Sequence, residues 1–162
     1  MKKIAKILVV FVGVIFLAGC DTNDLFGSIN NKSITKCTLD SDQSANGYKL
    51  NSEYNIYATG NVVTSVKTTE VVTSDKEEIL KYFQNTLNTQ YNAANKSYGG
   101  YSFDIKKSDN KITSNVTIDY NKMNLKKFVQ DNASMKSYIN KDNKITLSGA
   151  KKLYESLGAT CK

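Results

Sequence analysis

Leu17-Ala18-Gly19-Cys20 is the stretch of this chain whose residue types and order spell out a covalent reaction. It resembles a bacterial lipobox, in which the cysteine thiol takes a diacylglyceryl group and the peptide before it is removed. Two further thiols, Cys37 and Cys161, stand near the two ends of the chain beyond the tether. Elsewhere the usual reactive types are missing. The 162 residues include 22 basic side chains, all of them Lys, and no His, Arg, Pro or Trp. Without His the commonest general base and metal ligand is absent, and without Arg there is no bidentate fork for phosphate or carboxylate. Ser and Lys are abundant, but their spacing singles out no nucleophile–base pair. No catalytic residue, cofactor or metal site is expected, and the chain reads as a non-enzyme.

The lipobox needs a leader to deliver it, and residues 1–19 have the form of one. Lys2, Lys3 and Lys6 make a basic head, followed by thirteen residues, Ile7 to Gly19, without a charge. A spanning helix needs about 20 apolar residues, so this run has the length of a signal-peptide core. The mature chain would begin at Cys20, and two acyl chains are enough lipid for stable anchoring. That places it on the extracytoplasmic face of the cell membrane. In a host with two membranes, Asp21 would read as an inner-membrane retention signal. The abundance of Lys, Asn, Ile and Tyr, whose codons are AT-rich, points instead to a low-GC Gram-positive host. Loss of the leader lysines lowers the formal charge from +7 to +4, and the remaining Lys doublets are scattered, so no nucleic-acid partner is expected.

With Cys20 lipidated, an even pair remains in a compartment that permits disulfides, and Cys37–Cys161 is the expected bridge. Residues 20–35 are polar without an apolar period and read as a flexible tether. Fully extended, it would reach about 55 Å and let the domain stand clear of the headgroups.

Residues 36–162 read as a single domain. Tyr48, Leu50, Tyr54, Ile56 and Ala58 alternate with polar residues, the period of a half-buried strand, and Asn46-Gly47 marks a turn from an earlier strand around Cys37-Thr38-Leu39. After Gly60-Asn61, Val62, Thr64 and Val66 predict one face of a third strand. Ser74-Asp75-Lys76-Glu77 has the form of a capping box. Behind it Leu80, Phe83, Leu87, Tyr91 and Ala94 make one apolar helical stripe, ended by Gly99-Gly100. A second hairpin uses Tyr101, Phe103 and Ile105, then Ile112, Val116, Ile118 and Tyr120. Residues 121–140 predict short helical pieces, and a last helix from near Thr146 stops at Gly158. Single apolar stripes on helices and one-sided strands predict a two-layer α+β fold: an antiparallel meander of about five strands with helices packed on one face.

Most of the ten tyrosines fall on inward faces. Tyr57 has the opposite parity to Tyr54 and Ile56, and Tyr98 and Tyr101 flank the Gly99-Gly100 loop. These three are the candidate ligand-contacting residues, against the ordinary reading of half-buried tyrosine. Asp40-Ser41-Asp42 opens a faintly calcium-loop-like segment, but Ala45 stands where such a loop needs Gly, and a solvated hairpin explains it.

Three segments carry a family resemblance. Val116-Thr117-Ile118-Asp119-Tyr120-Asn121-Lys122-Met123-Asn124-Leu125, the helix start at Ser74-Asp75, and Gly149-Ala150-Lys151-Lys152-Leu153-Tyr154 running on to Gly158-Ala159-Thr160-Cys161 resemble the YehR-like family of small bacterial lipoproteins. The resemblance spans residues 36–162 and implies lipid anchoring and an α+β fold, but no activity. The expected function is therefore a lipid-anchored binding or scaffolding module of the cell envelope, with an envelope protein or cell-wall ligand as partner. The alternative is a small-ligand-binding lipoprotein serving a transporter or sensor.

Overall fold

The computed structural model describes residues 32–162. Six strands form one antiparallel sheet in the order β4-β5-β3-β2-β1-β6. The first three are long and form the expected meander: β1 (Lys32–Gln43), β2 (Tyr48–Thr59) and β3 (Val62–Thr73). Helix α1 (Glu77–Tyr98) leads to the hairpin β4 (Tyr101–Ser108) and β5 (Lys111–Asp119). Two helices, α2 (Leu125–Asp131) and α3 (Leu147–Ser156), flank a 3-10 segment at Ala133–Tyr138, and the short β6 (Thr160–Cys161) closes the sheet against β1.

All the helical segments lie on one face, because strand parity leaves only one apolar face. In β2 the even positions Tyr48, Leu50, Tyr54, Ile56 and Ala58 are buried, and the odd ones are exposed or half-buried. The α1 stripe of Leu80, Phe83, Leu87, Tyr91 and Ala94 is buried throughout, and full burial of an aliphatic or aromatic side chain contributes about 1.5–3 kcal/mol. Two apolar clusters result. One sets Phe83 and Leu87 of α1 on Leu50, Val72 and Ile112. The other sets Val129, Met135 and Ala150 of the later segments on Tyr54, Ile56 and Val66.

Four local expectations change. Residues 32–35 lie in β1 and not in a tether. The sheet has six strands, since two residues are enough for β6 when a disulfide holds them to β1. The buried valines at the start of β3 are Val63 and Val66, not Val62, Thr64 and Val66. A bulge pairs Tyr57 with Ser65 but Ala58 with Val63, and so reverses the parity. Finally, Ser74 is not the helix cap, and no capping box forms. Lys76 occupies the cap position, while the Ser74 hydroxyl donates to the Gly47 carbonyl at 2.6 Å and accepts from the Lys76 N–H at 3.1 Å. That serine ties the helix entry to the β1–β2 turn.

The closing helix forms as its sequence predicts. The Thr146 hydroxyl accepts from the Gly149 N–H at 2.9 Å, and Gly158 ends the helix with φ +93°. Gly149 itself lies against the 3-10 segment so closely that a Cβ would run into the Tyr138 carbonyl.

Candidate functional site

The sheet face opposite the helices is the larger uncommitted surface. Its side chains are the odd positions of β2, β5 and β3 beyond the bulge, and the even positions of β1 and β4. They are mostly Thr, Asn, Ser, Lys and acids. Strand register lines them in rows: Asn55, Lys67, Thr117 and Ser102 form one, and Glu53, Thr69, Asn115 and Asp104 the next. Between β3, β5 and β4 these rows border an open, shallow groove of about 370 Å³ whose lining includes the polar Lys67, Thr69, Ser102, Asp104, Asn115 and Thr117 and the apolar Phe103 and Val116. The Thr69 hydroxyl donates to the Asn115 side-chain oxygen at 3.0 Å, which leaves the amide N–H groups of Asn115 free to face a ligand. Asp104 is met by Lys106 at 3.1 Å. Hydroxyls, an amide and one cation at this spacing can hydrogen-bond a polar solute or a polymer chain laid along the sheet.

A second polar feature is buried on the helix side. Ser52, Glu70 and Ser114 are cross-strand neighbours on β2, β3 and β5, between Leu39 and Ile105. Glu70 is only 4% exposed, and the Tyr91 hydroxyl of α1 donates to it at 2.9 Å. The hydroxyls of Ser52 and Ser114 are shut off from solvent and, among the described residues, have no partner at hydrogen-bond geometry. Burial pushes the Glu70 carboxyl up to about 7, and the Tyr91 hydrogen bond restrains that rise. Burial also raises Tyr54 to about 12, with the Glu70 charge adding to it, and drives Tyr91 well above the ordinary phenol value. The row lies between the two apolar clusters and is a polar seam in the core.

Cys20 and the lipobox residues Leu17, Ala18 and Gly19 lie outside the described residues. Cys37 and Cys161 are directly opposed in the β1–β6 register and joined by a disulfide. Tyr57 stands on the helix-free face, with the Lys67 ammonium 5.4 Å from its ring centre. Tyr98 packs edge-on against Phe128 at 5.1 Å between ring centres, under the Lys127 ammonium. Tyr101 lies against both apolar clusters, where burial raises its hydroxyl to about 12. The structure therefore turns Tyr98 and Tyr101 towards the core and leaves Tyr57 on the open face. Among the described residues no group of three or more Cys, Asp or Glu is placed to hold a metal ion, and no helix is long and apolar enough to cross a membrane.

The seam and the groove leave little trace in the sequence. Glu70 shares parity with Val66 and Val72, and that was the available signal for its burial. The groove had none, since Ser102, Asp104, Asn115 and Thr117 come together only through the β4–β5–β3 pairing.

These features define an α+β domain with an open six-stranded antiparallel sheet, one face helical and one polar. Such a domain is already represented among solved structures. The NMR structure of the E. coli YehR protein matches with a TM-score of 0.53 and 18% identity, over 82% of this chain and 91% of that one, so a YehR-like fold is established. An NMR structure of a protein from Streptococcus pneumoniae TIGR4 matches with a TM-score of 0.46 and 15% identity, over 93% and 96% of the two chains. No family model and no curated protein matches the sequence.

Proposed function

We propose that this chain is a lipid-anchored extracytoplasmic lipoprotein of the YehR-like family, acting as a non-enzymatic binding or scaffolding module of the cell envelope. The observation that carries the reading is the division of labour between the sheet faces. The helices and both cores take one face, and the other presents ordered rows of hydroxyl, amide and charged side chains around the β3–β5–β4 groove. A flat polar surface of this kind suits an envelope protein or a cell-wall polymer. The basic head, thirteen-residue apolar run and Leu17-Ala18-Gly19-Cys20 support delivery to the membrane through a diacylglyceryl group on Cys20. Likeness in fold to YehR supports the family assignment made from residues 74–75, 116–125 and 149–161. The composition, without His or Arg, favours binding over catalysis.

In-cell cross-linking of the full chain followed by mass spectrometry tests this. Recovered cross-links are expected on the β3–β5–β4 face, and intact mass is expected to show a diacylglyceryl group that Cys20→Ala abolishes. Cross-linking that recovers neither an envelope protein nor a wall polymer would count against the binding role. A wild-type Cys20 without the lipid mass would count against lipidation.

The groove also favours a second reading, a small-ligand-binding lipoprotein working with a transporter or sensor. Its volume of about 370 Å³ matches a small polar solute. In this reading Lys67, Thr69 and Asn115 hold the ligand, in place of Tyr98 and Tyr101. A thermal-shift panel separates the two, because only a pocket binder gains stability with one solute class.

A further inference from the structure

One corner of the helix-free face is amphipathic. Ile34 is 64% exposed, the most exposed large apolar side chain among the described residues. It stands directly opposite Tyr57 in the β1–β2 register, on the same face. Lys32 and Lys36 lie two positions to either side of it along β1, and Lys67 reaches over the Tyr57 ring. Lys36 is held by Glu53 at 2.7 Å, whereas Lys32 and Lys67 make no ion pair among the described residues. The outward acids of β1, Asp40 and Asp42, stand towards its opposite end, and Asp119, two strands beyond Tyr57 in the same row, is paired with Lys122 at 3.5 Å. The corner is thus apolar at its centre and cationic at its rim. Lysine stems can lie along an apolar contact while their ammonium groups reach headgroups, and tyrosine favours the membrane–water boundary.

The start of the fold brings this corner close to the membrane. Since β1 begins at Lys32, only residues 21–31 separate it from Cys20, a span of roughly 40 Å at full extension. A link of so few residues holds the patch near the surface at an effective concentration in the millimolar range, so a weak contact is enough. We propose that Ile34 and Tyr57 enter the headgroup layer while Lys32 and Lys67 engage anionic lipid headgroups, docking the domain edge-first on the membrane. The docking rests on lipid anchoring at Cys20 and adds an orientation to it. Lys67 belongs to both this corner and the groove, so docking leaves the Thr69, Asn115 and Asp104 side of the groove open to a ligand.

Because the chain contains no Trp, a single introduced one reports alone. The test uses the full-length lipidated protein carrying Tyr57→Trp, in phosphatidylcholine vesicles with and without phosphatidylglycerol and with part of the lipid brominated. Asn51→Trp, on the same face but towards the other end of β2, is the control. The Tyr57→Trp signal should shift to the blue and be quenched by brominated lipid in the anionic vesicles, and the control should stay unquenched. Adding Lys32→Gln or Lys67→Gln should each lower the preference for anionic lipid about fivefold. Ile34→Trp gives an independent reading if the Tyr57→Trp melting curve shows a damaged fold. Vesicle flotation reads the anchor separately. Protein that floats with both reporters unquenched, or quenched alike, overturns the docking and leaves the anchor standing. Protein that does not float overturns both. A Tyr57→Trp signal shielded from lipid, and increasingly so at high protein density, would assign the corner to a second copy of the chain and overturn the lipid assignment.

Discussion

The phenolic hydroxyl of Tyr91 donates a 2.9 Å hydrogen bond to the carboxylate of Glu70, and both side chains are buried between sheet and helix. A carboxylate there has no cation to balance it, since no Lys of the described residues forms an ion pair with it. Its proton therefore becomes part of the fold.

Stability should fall as pH rises through the near-neutral range. Glu70 titrates near 4.5 unfolded and at about 7 folded. Below the lower value both states hold the proton and its stabilisation is complete. Between the two the unfolded chain has released the proton and the folded one keeps it, so stability is lost until both are ionised. At 1.36 kcal/mol per unit the whole effect is about 3 kcal/mol. The exposed Glu53, Glu77 and Asp131, held low by Lys36, Lys107 and Lys127, act in the opposite direction and only in acid. Urea unfolding across this range should show a declining midpoint that Glu70→Gln flattens.

The two flanking hydroxyls should respond differently. Ser114 and Ser52 have their Oγ atoms buried without a partner at hydrogen-bond geometry among the described residues. Removing an unsatisfied hydroxyl relieves its desolvation cost, so Ser114→Ala should be neutral or stabilise by about 1 kcal/mol. Urea midpoints decide it, and a clear loss would mean that an internal water bridges the row.

Two glycines near the end of the chain separate steric from conformational cost. At Gly149 a Cβ would meet the Tyr138 carbonyl, and Gly149→Ala should lose about 1–3 kcal/mol as α3 is pushed off the 3-10 segment. At Gly158 the nearest atom would be Leu39 Cδ1 at 3.5 Å, so only the positive φ of +93° is strained. Gly158→Ala should cost about 1 kcal/mol. Thermal unfolding of the pair should rank them in that order.

Cys37→Ala with Cys161→Ala should lower unfolding free energy by about 3–4 kcal/mol, because the bridge closes a loop with a separation of 124 residues. Hydrogen exchange should show the two-residue β6 losing protection before the rest of the sheet. Intact mass after alkylation, with and without reductant, should show both thiols blocked only after reduction.

Periodicity carried the parts of the fold that depend on near neighbours. The α1 stripe, the inward faces of β2, β4 and β5, and the start near Thr146 and Gly158 stop of α3 were all legible. Each is set by residues two to four positions apart. The β3 face was not, because the bulge at Tyr57/Ala58 depends on how two strands pair. The capping box failed for the same kind of reason: Ser74 spends its hydroxyl on Gly47, 27 residues away. The seam shows the limit best. Ser52, Glu70 and Ser114 are unremarkable in the sequence, and only the register makes them neighbours.

What this chain's order of residues decides alone is local: the strand and helix periods, and the residue pattern on which the proposed lipidation at Cys20 rests. Those follow from short-range geometry and composition. Tertiary structure decides which of the two sheet faces is covered, that Cys37 meets Cys161, and that a glutamate becomes a buried acid under a tyrosine. It also decides that Ile34 and Tyr57 share an exposed corner. These properties come from strand pairing, which joins residues far apart in the chain and sets the solvent exposure that governs charge and contact.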